Sequence, residues 1–255
     1  MGALTFHIVS RKNEQLVMSP SELLELYLYG VPLDVKDGRN ISSESLKLYI
    51  SAAQQEIEKY LTIKLQKQII AESKDFFLTD FKNWSQVRAT YPVNKCHKMD
   101  GYINDVQQIE YPVEWLSTHI TNNGIYRRSI HLIPSGSSAQ SNAIVYSGIT
   151  PHLGFYGNQM IPNYWRLKYC TGFDIIPAEL LNFIGKLASI NVFRILGDVV
   201  LNAGVSSQSI GIDGLSQSVS ASGAFKNRID GYLQDLKDGL QRVRIMYKSI
   251  EIMTM

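Results

Sequence analysis

The chain has 255 residues, of which 45% are hydrophobic and 19% charged, with a formal net charge of +2. A chain of this size buries roughly 70–75% of its unfolded surface, so a hydrophobic core forms without disulfide or metal staples. This composition excludes a disordered chain, a collagen-like rod and a coiled-coil rod. The pI of about 8.4 lies below the ~9 of dedicated nucleic-acid-binding domains. Two cysteines, Cys96 and Cys170, are too few for a disulfide scaffold and point to folding in a reducing cytosol. Residues 1–18 carry no basic stretch followed by an apolar one, so no signal peptide is expected. Phe6 stands where a myristoylation motif takes Ser or Thr. The most apolar stretch, 180–201, contains Lys186, Arg194 and Asp198 and reads as a buried helix rather than a membrane span.

Ser19-Pro20-Ser21-Glu22 is a capping box with proline at the first helical position, and it predicts a helix through Leu28 that Gly30 and Pro32 end. A second helix starts at Ser42 or Ser43. Leu46, Ile50, Ala53, Ile57 and Leu61 follow at steps of 4, 3, 4 and 4, one helical face, and the pattern predicts a helix to about residue 70. From about 75 to 172 the period shortens. Runs at 76–81, 86–93, 106–111, 127–133, 143–147 and 164–169 read as strands separated by turn residues. Helical patterning returns at Pro177-Ala178-Glu179. The helix it opens is apolar nearly all round and so is expected innermost. A last helix over about 224–248 shows one apolar stripe from Phe225 to Tyr247. Between these two lies the Ser/Gly-rich stretch 203–223. It reads as a long loop, although Asp213-Gly214 between apolar residues is also a hairpin signal. The expected class is α+β, with a helical bundle (19–74 and 173–249), an inserted antiparallel β subdomain (75–172) and a C-terminal arm (250–255).

No catalytic constellation emerges from the motifs. The chain lacks GxxxxGK[ST] and GxSxG. Its histidines, His7, His97, His119, His131 and His152, show no helical metal spacing. Glu56 and Glu58 fall on different sides of a helix and do not pair as acid and base. No metal and no cofactor are expected. Fourteen Tyr and three Trp fit aromatic cross-strand pairs in a β core, or a protein–protein surface. Arg166 and Lys168 alone do not make a single-strand stacking platform. Two segments suggest docking. Arg242, Arg244 and Lys248, with Tyr247 among them, form a cationic helix end. Ile250 and Ile252 then alternate as in a strand added to a partner's sheet. Ile210, Ile212, Asp213 and Leu215 give the long loop more apolar character than a linker needs.

The order of segments resembles the head-to-tail connector (adaptor) proteins of tailed bacteriophages. Ser43-Glu44-Ser45-Leu46-Lys47 through Tyr60-Leu61 is similar to the opening helix of that family. Tyr169-Cys170-Thr171-Gly172-Phe173, then Ile176-Pro177-Ala178-Glu179-Leu180 and a hydrophobic helix, resemble its second half. Ile212-Asp213-Gly214-Leu215-Ser216-Gln217-Ser218 before an amphipathic helix looks like the larger adaptors. The likeness covers 42–72 and 165–250; the β insertion departs from it. It implies a non-enzymatic virion protein in the neck, made in the cytoplasm of a host bacterium. Such proteins form a ring, usually of twelve copies, below the portal. The ring extends the channel for double-stranded DNA without sequence-specific binding and offers a platform to a tail or neck protein. In that setting the helix end and arm are expected at the portal, and the long loop at a neighbouring subunit or the channel wall. The alternatives are a hydrolase or nucleotide-handling enzyme with a site in the β region, or another neck or tail-terminator protein.

Overall fold

The computed structural model describes residues 16–31, 33, 41–77, 86–121, 124–133, 160–200, 206–212, 215–221 and 225–248. The fold is α+β, with four α-helices and antiparallel sheets among these residues. The chain divides into two compact units. A helical unit takes in 12–65 and 175–255, and a β unit takes in 66–174.

In the helical unit, α1 (Pro20–Leu26) begins as its sequence dictates. Glu22 N donates to Ser19 Oγ at 3.2 Å, and Glu22 Oε2 accepts from Ser19 N at 2.7 Å. The Ser19 N–H and the Ser19 hydroxyl (2.9 Å), which both donate to Glu22 Oε2, hold the Glu22 carboxyl below its usual range. Their contribution is therefore present above the ordinary carboxylate range and fades as pH falls through the lowered value. Helix α2 (Ser43–Leu61) is capped by Ser42, whose Oγ accepts from Ser45 N at 3.1 Å. It ends at Leu61 and not near residue 70. Thr62 takes a left-handed conformation (φ 54°), and Glu58 Oε1 accepts from Leu65 N at 3.0 Å, which turns the chain out of the helix. Ile63 and Leu65 are buried in the extended segment that follows, so their apolarity does not report a helical face.

Helix α3 (Ala178–Val200) packs against α1, α2 and α4 (Lys226–Lys248). Leu180, Phe183, Ile184, Leu187, Ile190, Val192, Phe193 and Leu196 are all buried. This is why its sequence shows no polar face. Two glycines in helix interiors are explained by aromatic neighbours. A Cβ on Gly185 would overlap the Tyr27 ring, and one on Gly239 would overlap the Phe183 ring. The Tyr27 hydroxyl donates to Asn182 Oδ1 at 3.2 Å, and Tyr232 donates to the Tyr27 carbonyl at 3.2 Å. Together they pin the end of α1 to α3 and α4. The segment between α3 and α4, read as a long loop with a hairpin signal at Asp213-Gly214, contains β8 (Ser206–Ile212) and β9 (Leu215–Ala221). They are paired antiparallel from Ser206↔Ala221 to Ile212↔Leu215. β9 lies against α3.

The β unit holds two sheets around one core. The first, in order β1-β7-β3-β4, comprises β1 (Gln68–Phe77), β7 (Met160–Thr171), β3 (Lys95–Ile103) and β4 (Val106–Glu110). The second, in order β2-β6-β5, comprises β2 (Gln86–Arg88), β6 (Tyr126–Leu132) and β5 (Leu116–Ile120). The strand expected at 143–147 lies outside the described residues. Strands β3 and β5 carry no clean alternation in sequence because each contains an irregularity in pairing, at Cys96/Lys98 and at Thr118/Ile120. The core is aromatic. Trp165 packs with Tyr164 (ring centroids 4.7 Å), Tyr111 (5.6 Å) and Phe76 (6.0 Å), with Trp115 and Tyr169 also buried.

Cys96 is buried in this core with its Sγ directed at the Lys98 and Lys168 carbonyls, and Cys170 is likewise buried and free. Burial pushes the Cys96 thiol up from 9.0 to about 11, against a smaller lowering by a backbone hydrogen bond of Lys98. Stability gained by keeping this proton is full below pH 9 and is lost between about 9 and 11, where the unfolded chain ionises first. The gap in urea midpoint between wild type and Cys96→Ala should therefore narrow from about pH 8 to about pH 10.5. A gap independent of pH would place the thiol in water.

Candidate interaction sites

Helix α4 buries Ile229, Leu233, Leu236, Leu240 and Val243, and its last two turns carry the cationic end. The structure divides the residues there into two groups. Arg242 is exposed, with Nε donating to the Asp238 carbonyl at 3.2 Å. Arg244 is half-buried, its guanidinium 5.3 Å from the Tyr60 ring of α2, a cation–π distance. Burial raises the Tyr247 hydroxyl to about 12, and the Glu179 carboxylate adds to the rise. Arg244 and Tyr247 thus serve the packing of α4 on its neighbours, and Arg242 faces solvent. Lys248 is the last residue of α4; Ile250 and Ile252 lie outside the described residues. Beside Arg242 the helix exposes Ile245 (65%) and Met246 (43%). Sequence reasoning missed this apolar pair, although both positions fall off the buried stripe at 236, 240 and 243.

Of the residues expected on a long loop, Ile210 and Ile212 belong to β8 and Leu215 to β9. Ile212 and Leu215 face each other in register, and Ile210 pairs with Gln217. Asp213 lies outside the described residues. Among the described residues the ribbon has two strands.

The β unit has a cleft of about 270 Å³ between β1, β2 and β7, lined by Lys74, Asp75, Phe77, Gln86, Val87, Arg88 and Trp165. Lys74 Nζ donates to Thr90 Oγ1 at 2.6 Å and pairs with Glu72 at 3.7 Å. Asp75 accepts from Asn163 N at 2.8 Å. Glu72 also accepts from Thr90 N (2.8 Å) and the Tyr169 hydroxyl (3.1 Å). This network pins the 89–91 segment across β1 and β7. Among the described residues no group of three or more His, Cys, Asp or Glu is placed to hold a metal. None of their helices is long and apolar enough to cross a membrane.

One pair of histidines does meet. His119 of β5 and His131 of β6 lie edge to face, ring centroids 4.7 Å apart, and the Ser129 hydroxyl is 3.3 Å from His131 Nε2. Helical spacing cannot reveal such a pair, because strand pairing across twelve residues of chain creates it. A comparison with protein families finds no match, and neither does a comparison with curated proteins.

Proposed function

We propose that this protein is a head-to-tail adaptor of a tailed bacteriophage, a structural virion protein of the neck. In this reading copies assemble as a ring below the portal, extend the DNA channel and present a platform to the tail. The observation that carries the reading is the β8–β9 ribbon between α3 and α4, at the place where the sequence resembles the larger adaptors. A two-stranded ribbon is marginally stable alone in water. Here β9 lies against α3, and in the ring a neighbouring subunit contacts the ribbon at Ile210, Ile212 and Leu215. The end of α4 supports the same reading. Arg242, Ile245 and Met246 offer an exposed cationic and apolar surface, and Lys248, Ile250 and Ile252 follow it in sequence.

The purified chain should form rings in negative-stain images and cosediment with the portal protein of the same phage. Particles that stay monomeric and do not bind the portal would overturn the reading. Deleting residues 249–255 should leave the urea midpoint nearly unchanged and abolish portal capture in a pull-down. Arg242→Glu should weaken capture mostly at low salt, where screening is least.

A further inference from the structure

The cleft between β1, β2 and β7 has no part in the adaptor reading. Its volume is about 270 Å³, and apolar Phe77, Val87 and Trp165 share its lining with polar side chains. Phe77, the last residue of β1, keeps 44% of its surface exposed, so the cleft has an aromatic side open to a ligand. The polar side follows from a fault in the strand. Pairing of β1 with β7 shifts between Lys74 and Phe76, which leaves Asp75 as the extra residue. Such an irregularity re-aims side chains, and consecutive Lys74 and Asp75 both line the cleft.

Gln86 is the side chain without a counterpart. It lines the cleft and is only 9% exposed, yet its carboxamide makes no hydrogen bond among the described residues. Its polar atoms are not sealed from solvent, so the carboxamide is reached from the cleft. Buried polar side chains are satisfied as a rule, and this one presents a donor and an acceptor side by side. Asp75 adds a second acceptor. Its Oδ1 takes the Asn163 N–H at 2.8 Å, and its other oxygen receives no donor among the described residues. Lys74 is already engaged, bonded to Thr90 and paired with Glu72.

Charge selects a neutral ligand, because an anion would meet Asp75 and a cation would meet Lys74 and Arg88 in the same lining. The complement of this cleft has a flat apolar face and an edge of adjacent donors and acceptors. A carboxamide lacks the face and a phenyl ring lacks the edge; a nucleobase has both. The volume falls just below the roughly 300–1,000 Å³ of pockets for drug-sized ligands, which suits one base. Adenine is the base whose N6/N7 edge a glutamine carboxamide matches with two bonds. Its N6 carries a second hydrogen for the open Asp75 oxygen. We propose that the cleft binds an adenine base, with Gln86 on the N6/N7 edge, Asp75 on the second N6 hydrogen and Phe77 against the ring. The inference stands apart from the adaptor reading. The cleft belongs to the β unit and α4 to the helical unit, and no portal enters the test.

The test is isothermal titration of the full chain with adenosine, and with guanosine and uridine for comparison. Adenosine should bind saturably and about tenfold more tightly than the other two, the discrimination of one bidentate amide–base pair. Gln86→Leu, close in volume, should remove that preference. Phe77→Ala, at an exposed position that preserves the fold, should weaken binding about tenfold through lost stacking. Circular dichroism checks that both variants fold. A single strand of ten deoxyadenosines is titrated in parallel. Much tighter binding of the strand than of adenosine identifies single-stranded nucleic acid as the source of the base, and equal binding identifies a free nucleoside or nucleotide. Three results would overturn the proposal. One is binding of neither probe. The second is equal affinity for adenosine, guanosine and uridine. The third is adenosine binding unchanged by Phe77→Ala, with or without a folded Gln86→Leu variant.

Discussion

Gly172→Val should unfold the β unit or cost it at least about 3 kcal/mol, read as a loss of urea midpoint. Gly172 follows β7 and has a φ of +101°. A side chain there would drive its Cβ into the Gln66 carbonyl. The obstruction is main chain and does not rotate away. The site joins the ends of the unit, because Gln66 and Phe173 form a parallel bridge and Asn94 Nδ2 donates to the Gly172 carbonyl at 2.6 Å. Conformational strain and steric overlap therefore add, each contributing about 1–3 kcal/mol. Gly124, also at positive φ (+74°), has nothing within 4 Å of its would-be Cβ. Gly124→Ala should cost only about 1 kcal/mol, strain without overlap. Equal effects at the two positions would show that the Gln66 contact does not matter.

Leu187→Ala should cost the helical unit about 2–5 kcal/mol as a cavity substitution. Leu187 is 1% exposed at the centre of α3, the helix that touches α1, α2 and α4. Its neighbours Ile184, Ala188 and Ile190 are equally enclosed, so the cavity cannot collapse by moving one flexible surface chain. Thermal unfolding followed by circular dichroism at 222 nm measures the loss. The exposed Ile195 (38%) on the same helix provides the contrast. Ile195→Ala should cost well under half as much, since far less apolar area leaves water there. A loss below about 0.5 kcal/mol for Leu187→Ala would place it outside the core.

Much of the helical unit was legible in the sequence, and for a local reason. The Ser19–Glu22 capping box and the Ser42 cap work within four residues of chain, and the Leu46–Leu61 stripe repeats at one helical period. The structure shows each of them. The innermost place of α3 followed from apolarity on all sides. What failed was the end of α2. Ile63 and Leu65 extend the apolar run, but the left-handed Thr62 and the Glu58–Leu65 bond decide the exit. The candidate residues at the end of α4 were found by charge. Charge alone could not separate Arg242, which meets solvent, from Arg244, which lies over Tyr60.

The sequence by itself determined the α+β class, the start of each helix, the stripes that α2 and α4 bury and the aromatic character of the β core. Caps, turns and periodicity act between residues a few positions apart, and composition is indifferent to arrangement. The β8–β9 ribbon was signalled locally by Asp213-Gly214, but tertiary structure alone decided that β1 lies beside β7, that Gly172 meets Gln66 and that His119 meets His131. Strand pairing joins residues of large separation: Gln68 faces Thr171, and no pattern in either segment names the other. Irregular pairing at Cys96/Lys98 and Thr118/Ile120 erased the alternation that would have marked β3 and β5. The face of β6 that carries Ser129 and His131 exists only through register, because a shift of one residue would turn Ile130 outward and His131 into the core.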